Sequence, residues 1–536
     1  MPIRMKNHIK GVFSLFKRLK PSTKVLLLMI ALAAAFVFAL AFKRIASNEI
    51  HHAYNWDSPL YWTVGRGILN GLTPYSDLYE NKPLGVFLIS AISFRLTDDT
   101  IICNIVSFFS VFFISVLPAI SLWGDRKRIN TADAPVIRYF VCIVTVLTVG
   151  CLFAVYCEKR AGSFQAEAIG AAFSILFICL VKQQNEMMTV RKRIFLILCS
   201  ALSICCAVML KEPFLLVSVF GALLFVDSIK DLFRSIILPC AIGGLLFILI
   251  LAVSDAFVPY FSVYIKQLFS ARLAENTSVF FESLNVLRLF KDIRKISIIL
   301  LAMILLFIFL FVLRAFRNRK SFALFILSVI KLFASVYIAS FCVSIGSFYF
   351  THHFVFAVPV YCAIMIYGAA FLYEYEPHES APNISVLMLV VLVILAAGMK
   401  SRTSYRAYSE SYGSLVIKAQ YVDELLDRYK AERYQFIGFN DEEKFFGLTK
   451  HSPQGPVFVQ DPINFTDKNT WFSKSLISQL DQCDMIIVDH YPSFTIRNCV
   501  RNIIKEDFTY IPEDQLPVSP PDNLECDIYL RTSKYG

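Results

Sequence analysis

Residues 25–42 read VLLLMIALAAAFVFALAF. An apolar helix of about 20 residues crosses the ~30 Å hydrocarbon layer of a bilayer, and this run carries no charge. Upstream lie Arg4, Lys6, Lys10, Lys17, Arg18 and Lys20, a basic segment like that of a signal peptide. No small-residue cleavage site follows Phe42, so 24–42 reads as an uncleaved first span with its N-terminus in the cytoplasm. Downstream the pattern recurs at 101–123, 139–157, 165–181, 194–210, 214–226, 235–253, 296–313, 322–342, 354–372 and 384–399, eleven expected spans in all. Of the 536 residues, 57% are hydrophobic and only 17% charged, with a mean hydropathy of +0.59. Soluble domains carry roughly 45–50% apolar and about 25% charged residues, so the excess belongs in lipid. The fold class is therefore an α-helical polytopic membrane protein, multi-pass in the inner (plasma) membrane. The net charge of +11 follows topology and gives no ground for a nucleic-acid partner.

Alternating sides from a cytoplasmic N-terminus puts Arg126–Arg128, Arg191–Arg193 and the group Arg314, Arg317, Arg319 and Lys320 on the cytoplasmic face, as the positive-inside rule requires. The outward loops are then 43–83, 158–164, 211–213, 254–295 and 343–353, and the tail lies outside as well. The 373–383 loop has no Lys or Arg although this scheme makes it cytoplasmic, and one helix more or less there would flip the tail. The chain divides into a membrane domain, 1–404, and a tail, 405–536. The tail alternates a helical pattern (415–431) with strand patterns at 434–438, 456–460, 485–489 and 527–531 and helices near 471–480 and 495–505. That order predicts a small α/β layer with a mainly parallel sheet. It holds no Gly-rich phosphate loop and no nucleophile elbow. Asp489 and His490 stand at a strand end, where a polar loop pair is commoner than a catalytic dyad. Eleven of the fourteen cysteines fall in or beside spans, and only Cys483, Cys499 and Cys526, one disulfide at most, lie in the tail.

The chemistry concentrates in the first outward loop, where 55–85 reads NWDSPLYWTVGRGILNGLTPYSDLYENKPLG. Pro59 to Leu69 has helical spacing, Gly71 and Pro74 turn the chain, and Pro83 opens a second apolar stretch too short to span. Two helices at the membrane interface follow, with Asp57 ahead of the first and Glu80 and Lys82 between them. Asp57 is also well placed to be an ordinary helix N-cap, and Glu80 with Lys82 to be a surface ion pair worth roughly 0–1 kcal/mol.

Asp57 with Tyr61 soon after, Gly71-x-x-Pro74-Tyr75-x-Asp77 and Glu80-x-Lys82-Pro83 resemble the first extracytoplasmic loop of the GT-C superfamily of integral-membrane glycosyltransferases, in particular the protein O-mannosyltransferase and aminoarabinose-transferase branches. Leu84 departs from a second proline that many relatives show. The outline matches over the whole chain, while residue-level support rests on about thirty positions of this loop. The resemblance implies a polyprenyl-phosphate sugar donor and a glycan, lipid or protein acceptor, with Asp57 as base and Lys82 meeting the departing phosphate. Arg66 would assist or merely anchor its helix. Transfer to a hydroxyl needs a base for the proton and a cation for the leaving group.

Further outward candidates are Glu167 at the head of a span, Lys211 in Lys211-Glu212-Pro213, and Tyr349, His352 and His353 before the tenth span, with Tyr61 and Glu80 lining the same pocket. Ionisable groups at a membrane boundary face a cavity or a partner, although a His pair there is often a plain interface anchor. Oxygen and nitrogen donors are present, but no HExxH and no DxD fixes a metal, so no cofactor is assigned and a divalent metal stays open. Tyr260, Tyr264, Lys266, Arg272 and Arg288 in 254–295 suit an interfacial helix over lipid headgroups. The competing classes are a transporter or flippase, expected to show inverted repeats, and a polymerase or ligase of lipid-linked glycans, expected to rely on one large late loop.

Overall fold

The computed structural model describes residues 21–50, 57–123, 133–184, 189–269, 286–318, 322–344, 350–374, 412–438, 442–458, 469–490, 494–521 and 524–535, with Tyr54 and Phe465 singly. In chain order the membrane part comprises α1 (Pro21–Ile50), α2 (Ser58–Leu69), α3 (Gly85–Thr97), α4 (Ile101–Trp123), α5 (Asp133–Ala161), α6 (Ala166–Gln184), α7 (Val190–Leu210), α8 (Pro213–Leu223), α9 (Ile229–Val253), α10 (Val286–Ile296), α11 (Ile298–Asn318), α12 (Phe322–Ser344) and α13 (Thr351–Ala369). Among the described residues nine of these helices are long and apolar enough to cross a membrane: α1, α4, α5, α6, α7, α9, α11, α12 and α13. The chain is a multi-pass membrane protein. Helix α13 is enclosed on every side from Val358 to Ala369 and forms the centre of the bundle, whereas α9 and α12 turn rows of Leu, Ile and Phe outward.

Two expected spans need comment. The stretch 384–399 lies outside the described residues. The stretch 214–226 is the short helix α8, only 11 residues long. The turn that follows exposes Asp227, Ser228 and Lys230, while just ahead of it the Lys331 ammonium bonds the carbonyl of Val226 and the Ser335 hydroxyl donates to that of Phe220 at 2.9 Å. These two bonds tie the end of α8 to α12. The return helix α9 then carries the chain back, and Tyr260 and Tyr264 beyond it donate to the Glu212 carboxylate at the head of α8, at 3.2 and 2.6 Å. Both ends of this hairpin therefore share one face of the bundle.

Helices α2 and α3 lie across one another. Gly65 permits it, since a Cβ there would stand 2.4 Å from that of Ser90. Helix α10 is strongly amphipathic, with Leu289 and Ile293 buried and Lys291, Arg294 and Lys295 exposed. Asp292 fixes it by accepting from Tyr156 at 2.8 Å and from Arg160 at the end of α5.

The tail contains α14 (Tyr412–Tyr429), α15 (Trp471–Leu480), α16 (Phe494–Asp507) and strands β1 (Tyr434–Ile437), β2 (Met485–Asp489), β3 (Phe508–Ile511) and β4 (Cys526–Arg531). The sheet order is β1-β2-β4-β3. Only β1–β2 is parallel, while β4 runs antiparallel to both neighbours, so the expectation of a mainly parallel sheet is corrected. The segment from Pro456 is not a strand in its described part, because its backbone is used elsewhere: Pro456 accepts from the Tyr79 N–H at 2.9 Å and Val457 from the Gln435 amide at 2.9 Å. Edge strand β3 follows α16 with no loop between, which hid it in the helical pattern. Among the described residues no disulfide joins Cys483, Cys499 and Cys526. His490 pairs with Asp527 across the sheet at 3.2 Å, at an exposed position.

Candidate functional site

Asp57 occupies the cap position of α2, and its backbone carbonyl accepts from the N–H groups of Leu60 and Tyr61. Its side chain makes no cap bond. The carboxylate instead receives the Tyr61 hydroxyl at 3.2 Å and stands 3.4 Å from the Lys82 ammonium. Ser58 anchors the start of the helix by donating to the carbonyls of Ser163 and Phe164, which brings the α5–α6 turn against it. The Tyr61 hydroxyl also lies 3.2 Å from the amide oxygen of Gln165 in that turn.

Lys82 follows the tight turn 71–78, in which Gly71 has φ +82° and Tyr75 φ +72°. The Tyr75 hydroxyl donates to the Lys82 carbonyl at 3.1 Å and so fixes the backbone under the ammonium. That ammonium meets Asp57, Glu80 at 3.7 Å and the Asn81 side chain at 3.1 Å. The side chains of Glu80 and Lys82 are each 8% exposed, which sets them apart from a surface pair. Burial raises the Asp57 carboxyl, but Lys82, His352 and Lys211 outweigh it and hold it below the usual carboxylate range. Burial drives Glu80 above its ordinary value despite Lys82. Burial opposes the charge on Lys82, yet Asp57, Glu80 and Glu167 together hold it above the usual lysine range. Charge at this site is therefore shared through several groups rather than one pair.

A second cluster adjoins the first. Glu167 is fully buried at the head of α6 and is bonded by the ammonium of Lys211, the residue that closes α7. The same ammonium lies 3.1 Å from Nε2 of His353, and His352 Nε2 is 3.8 Å from Glu167. The two histidines thus face polar partners rather than serving as interface anchors. Burial, reinforced by Lys82, brings Lys211 below its ordinary value although Glu167 opposes this. Gly85 links the clusters: a Cβ there would stand 2.7 Å from the Met209 carbonyl, so the turn after Lys82 touches the end of α7.

Glu167, His352 and His353 bring one ligand atom each within 4.8 Å of one another, a donor set that fits a divalent cation. Lys211 already engages two of the three.

The structure thus brings together Asp57, Tyr61, Glu80, Lys82, Glu167, Lys211, His352 and His353. It does not bring Arg66 to them. Arg66 pairs with Asp98 at 2.8 Å and lies over the Phe94 ring, 4.2 Å from its centre. Nine residues along α2 from Asp57 place it about 13 Å further down the axis, so it anchors α2 to α3. Tyr349 lies outside the described residues. Gln165 and Asn81 were not expected, and as neutral amides in loops they carried no signal beyond their neighbours. Glu212 stood in the quoted Lys-Glu-Pro, but its partners Tyr260 and Tyr264 lie a hairpin away.

Among solved structures the chain is similar to ArnT from Cupriavidus metallidurans, whose crystal structure is bound to undecaprenyl phosphate, at 12% identity and a TM-score of 0.47 over 95% of this chain and 99% of that one. No family model matches the chain, and no curated protein does.

Proposed function

We propose that the chain is an integral-membrane glycosyltransferase of the GT-C type that moves a sugar from a polyprenyl-phosphate donor to an acceptor hydroxyl on the extracytoplasmic face of the inner membrane. The carrying observation is the Asp57 carboxylate, which stands at the head of α2 without capping it and 3.4 Å from the Lys82 ammonium. The loop pattern Gly71-x-x-Pro74-Tyr75-x-Asp77 and Glu80-x-Lys82-Pro83 supports the family. A donor whose lipid chain stays in the bilayer presents its sugar phosphate at the ends of the spans, where both clusters lie.

In a single displacement the acceptor oxygen bonds to the anomeric carbon while the bond from that carbon to the phosphate oxygen breaks. The hydroxyl proton passes to Asp57, and the electron pair leaves with the lipid phosphate. The configuration at the anomeric carbon inverts. The phosphate gains negative charge as it departs, so Lys82 and Lys211 bind the leaving state more strongly than the intact donor. Lys82 carries three N–H donors and can turn part of its coordination from Asp57 to the phosphate, which frees the base. Glu167 and His353 orient Lys211, and Tyr61 orients Asp57. Residues 1–404 form the catalytic domain and 405–536 an extracytoplasmic domain in this reading.

The test is a reconstituted assay of the full chain in vesicles with polyprenyl-phosphate sugars. Asp57→Asn should abolish transfer with fold and expression intact, and turnover equal to wild type would remove Asp57 from the mechanism. Lys82→Ala should chiefly weaken donor use; an unchanged KM and kcat for the donor would dismiss its phosphate role.

A further inference from the structure

We propose that the open cleft between the 72–77 turn and the α/β tail binds a neutral, hydroxyl-rich saccharide; that this saccharide is the glycan part of the acceptor rests on the transferase reading. The cleft has a volume of about 570 Å³, within the ~300–1,000 Å³ of ligand pockets. Ser76 and Asp77 form part of one wall, and Gln454, Lys474, Ser478 and Gln479 part of the other.

Gln479 points to a ligand. It is 5% exposed, and its amide oxygen accepts from Gln435 at 3.3 Å, while its amide nitrogen has no hydrogen-bond partner among the described residues. A buried donor left without an acceptor is destabilising, and a ligand oxygen would satisfy it. Gly455, at φ +88°, makes room for that amide, because a Cβ there would stand 2.3 Å from the same nitrogen. Across the cleft the Asp77 carboxylate is held by the Thr73 N–H at 2.8 Å and the Ser76 hydroxyl at 3.2 Å, which presents it as a fixed acceptor.

The lining chemistry selects among ligands. Asp77 and Lys474 cancel in charge, and the other polar groups named are amides and hydroxyls that both donate and accept. A phosphate would call for unopposed cations, and a peptide anchor for an apolar wall. A sugar ring offers hydroxyls of both senses and no charge. The place also suits an acceptor. The Tyr79 ring packs on Trp471 and Phe472 with centroids 5.4 and 5.7 Å apart, pinning α15 to the loop. The segment 75–82 thus carries cleft residues at one end and Glu80 and Lys82 at the other, and so ties the cleft to the Asp57 cluster through one short stretch of chain.

The experiment is saturation-transfer NMR on the full chain in nanodiscs, with soluble glucose-, mannose- and N-acetylglucosamine-based trisaccharides as probes. Wild type should bind at least one of them. Ser478→Trp, at an exposed position of α15, should weaken binding about tenfold or more, as should Gln479→Ala. No binding of any probe by wild type, or equal binding by a folded Ser478→Trp, overturns the proposal. Because the readout is binding, it stands apart from the transfer assay: cleft binding with no transfer from any polyprenyl-phosphate sugar would sink the transferase reading alone.

Discussion

At the head of α2 an aspartate has two uses for its carboxylate, and they exclude each other. A capping Asp turns its oxygens back to the N–H groups of the first turn, whereas Asp57 turns them to Tyr61 and Lys82. The same logic separates the two lysines. Asp57, Glu80 and Glu167 hold the charge on Lys82 above the usual lysine range, while burial brings Lys211 below it. As pH rises Lys211 is therefore the first of the two to lose its proton, at a pH below the ordinary value of about 10.4. Asp57, held low, stays ionised down through the usual carboxylate range near 3.9. The alkaline limb of the pH profile of kcat/KM should thus follow Lys211, and Lys211→Arg, whose guanidinium does not titrate there, should move that limb upward. A limb that stays in place in the variant would break the link. That Asp57, Glu80 and Lys82 meet was legible in the sequence because they lie in one short stretch. Between the two readings of Arg66 the sequence could not choose, because residue type says nothing of distance along a helix axis; its contacts with Asp98 and Phe94 are those of the anchor. The neutral partners Gln165 and Asn81 were illegible because an amide earns its role only from what lies opposite.

Between elements, the decisive contact is a glycine. Gly85 starts α3 with its Cα against the Met209 carbonyl, three residues after Lys82 and two before Lys211 on the facing helix. A side chain there has to push α3 off α7 and so part the two lysine-bearing turns. Overpacking of this kind is destabilising by about 1–3 kcal/mol. Gly85→Val should lower the thermal midpoint and also reduce transfer by tenfold or more, as read by a melting curve and the vesicle assay. A variant that melts lower yet turns over at the wild-type rate would show that the spacing of the lysines is unimportant. The long spans were readable because twenty apolar residues have few other uses. Helix α8 was not, since its 11 residues fall short of the usual length and its end is held by Lys331 and Ser335 from a distant helix. The sheet direction was equally hidden: helix-strand alternation suggests parallel pairing, and β4 enters antiparallel between β2 and β3.

At the scale of the molecule, contacts tie the faces together. Ser58 meets the α5–α6 turn, Lys211 meets Glu167 and His353, Glu212 meets Tyr260 and Tyr264, and so the charged clusters and all these turns lie on one face. The tail joins the same face. Gly447 packs its backbone on Trp62, Asn70 donates to the Lys450 carbonyl at 2.9 Å, and Tyr412 donates to Asp99 at 2.6 Å. The side of the tail, left hanging in the sequence on the 373–383 loop, is thereby locked to the side of Asp57, whatever that side is. Arg191 and Lys192 begin α7 and Arg317 closes α11, at the opposite ends of their spans, and the positive-inside rule predicts that those ends are cytoplasmic. Two single-cysteine positions, each introduced into a chain whose own fourteen cysteines are changed to Ala or Ser, read the arrangement directly. Ser478→Cys on α15 and Arg191→Cys at the start of α7 are both exposed, so each should accept a maleimide where the reagent can reach. In intact spheroplasts a membrane-impermeant maleimide should label the first and spare the second until the membrane is opened. Labelling of Arg191→Cys alone would invert the orientation and place Asp57 in the cytosol, and labelling of both from one side would contradict the packing of the tail on the first loop.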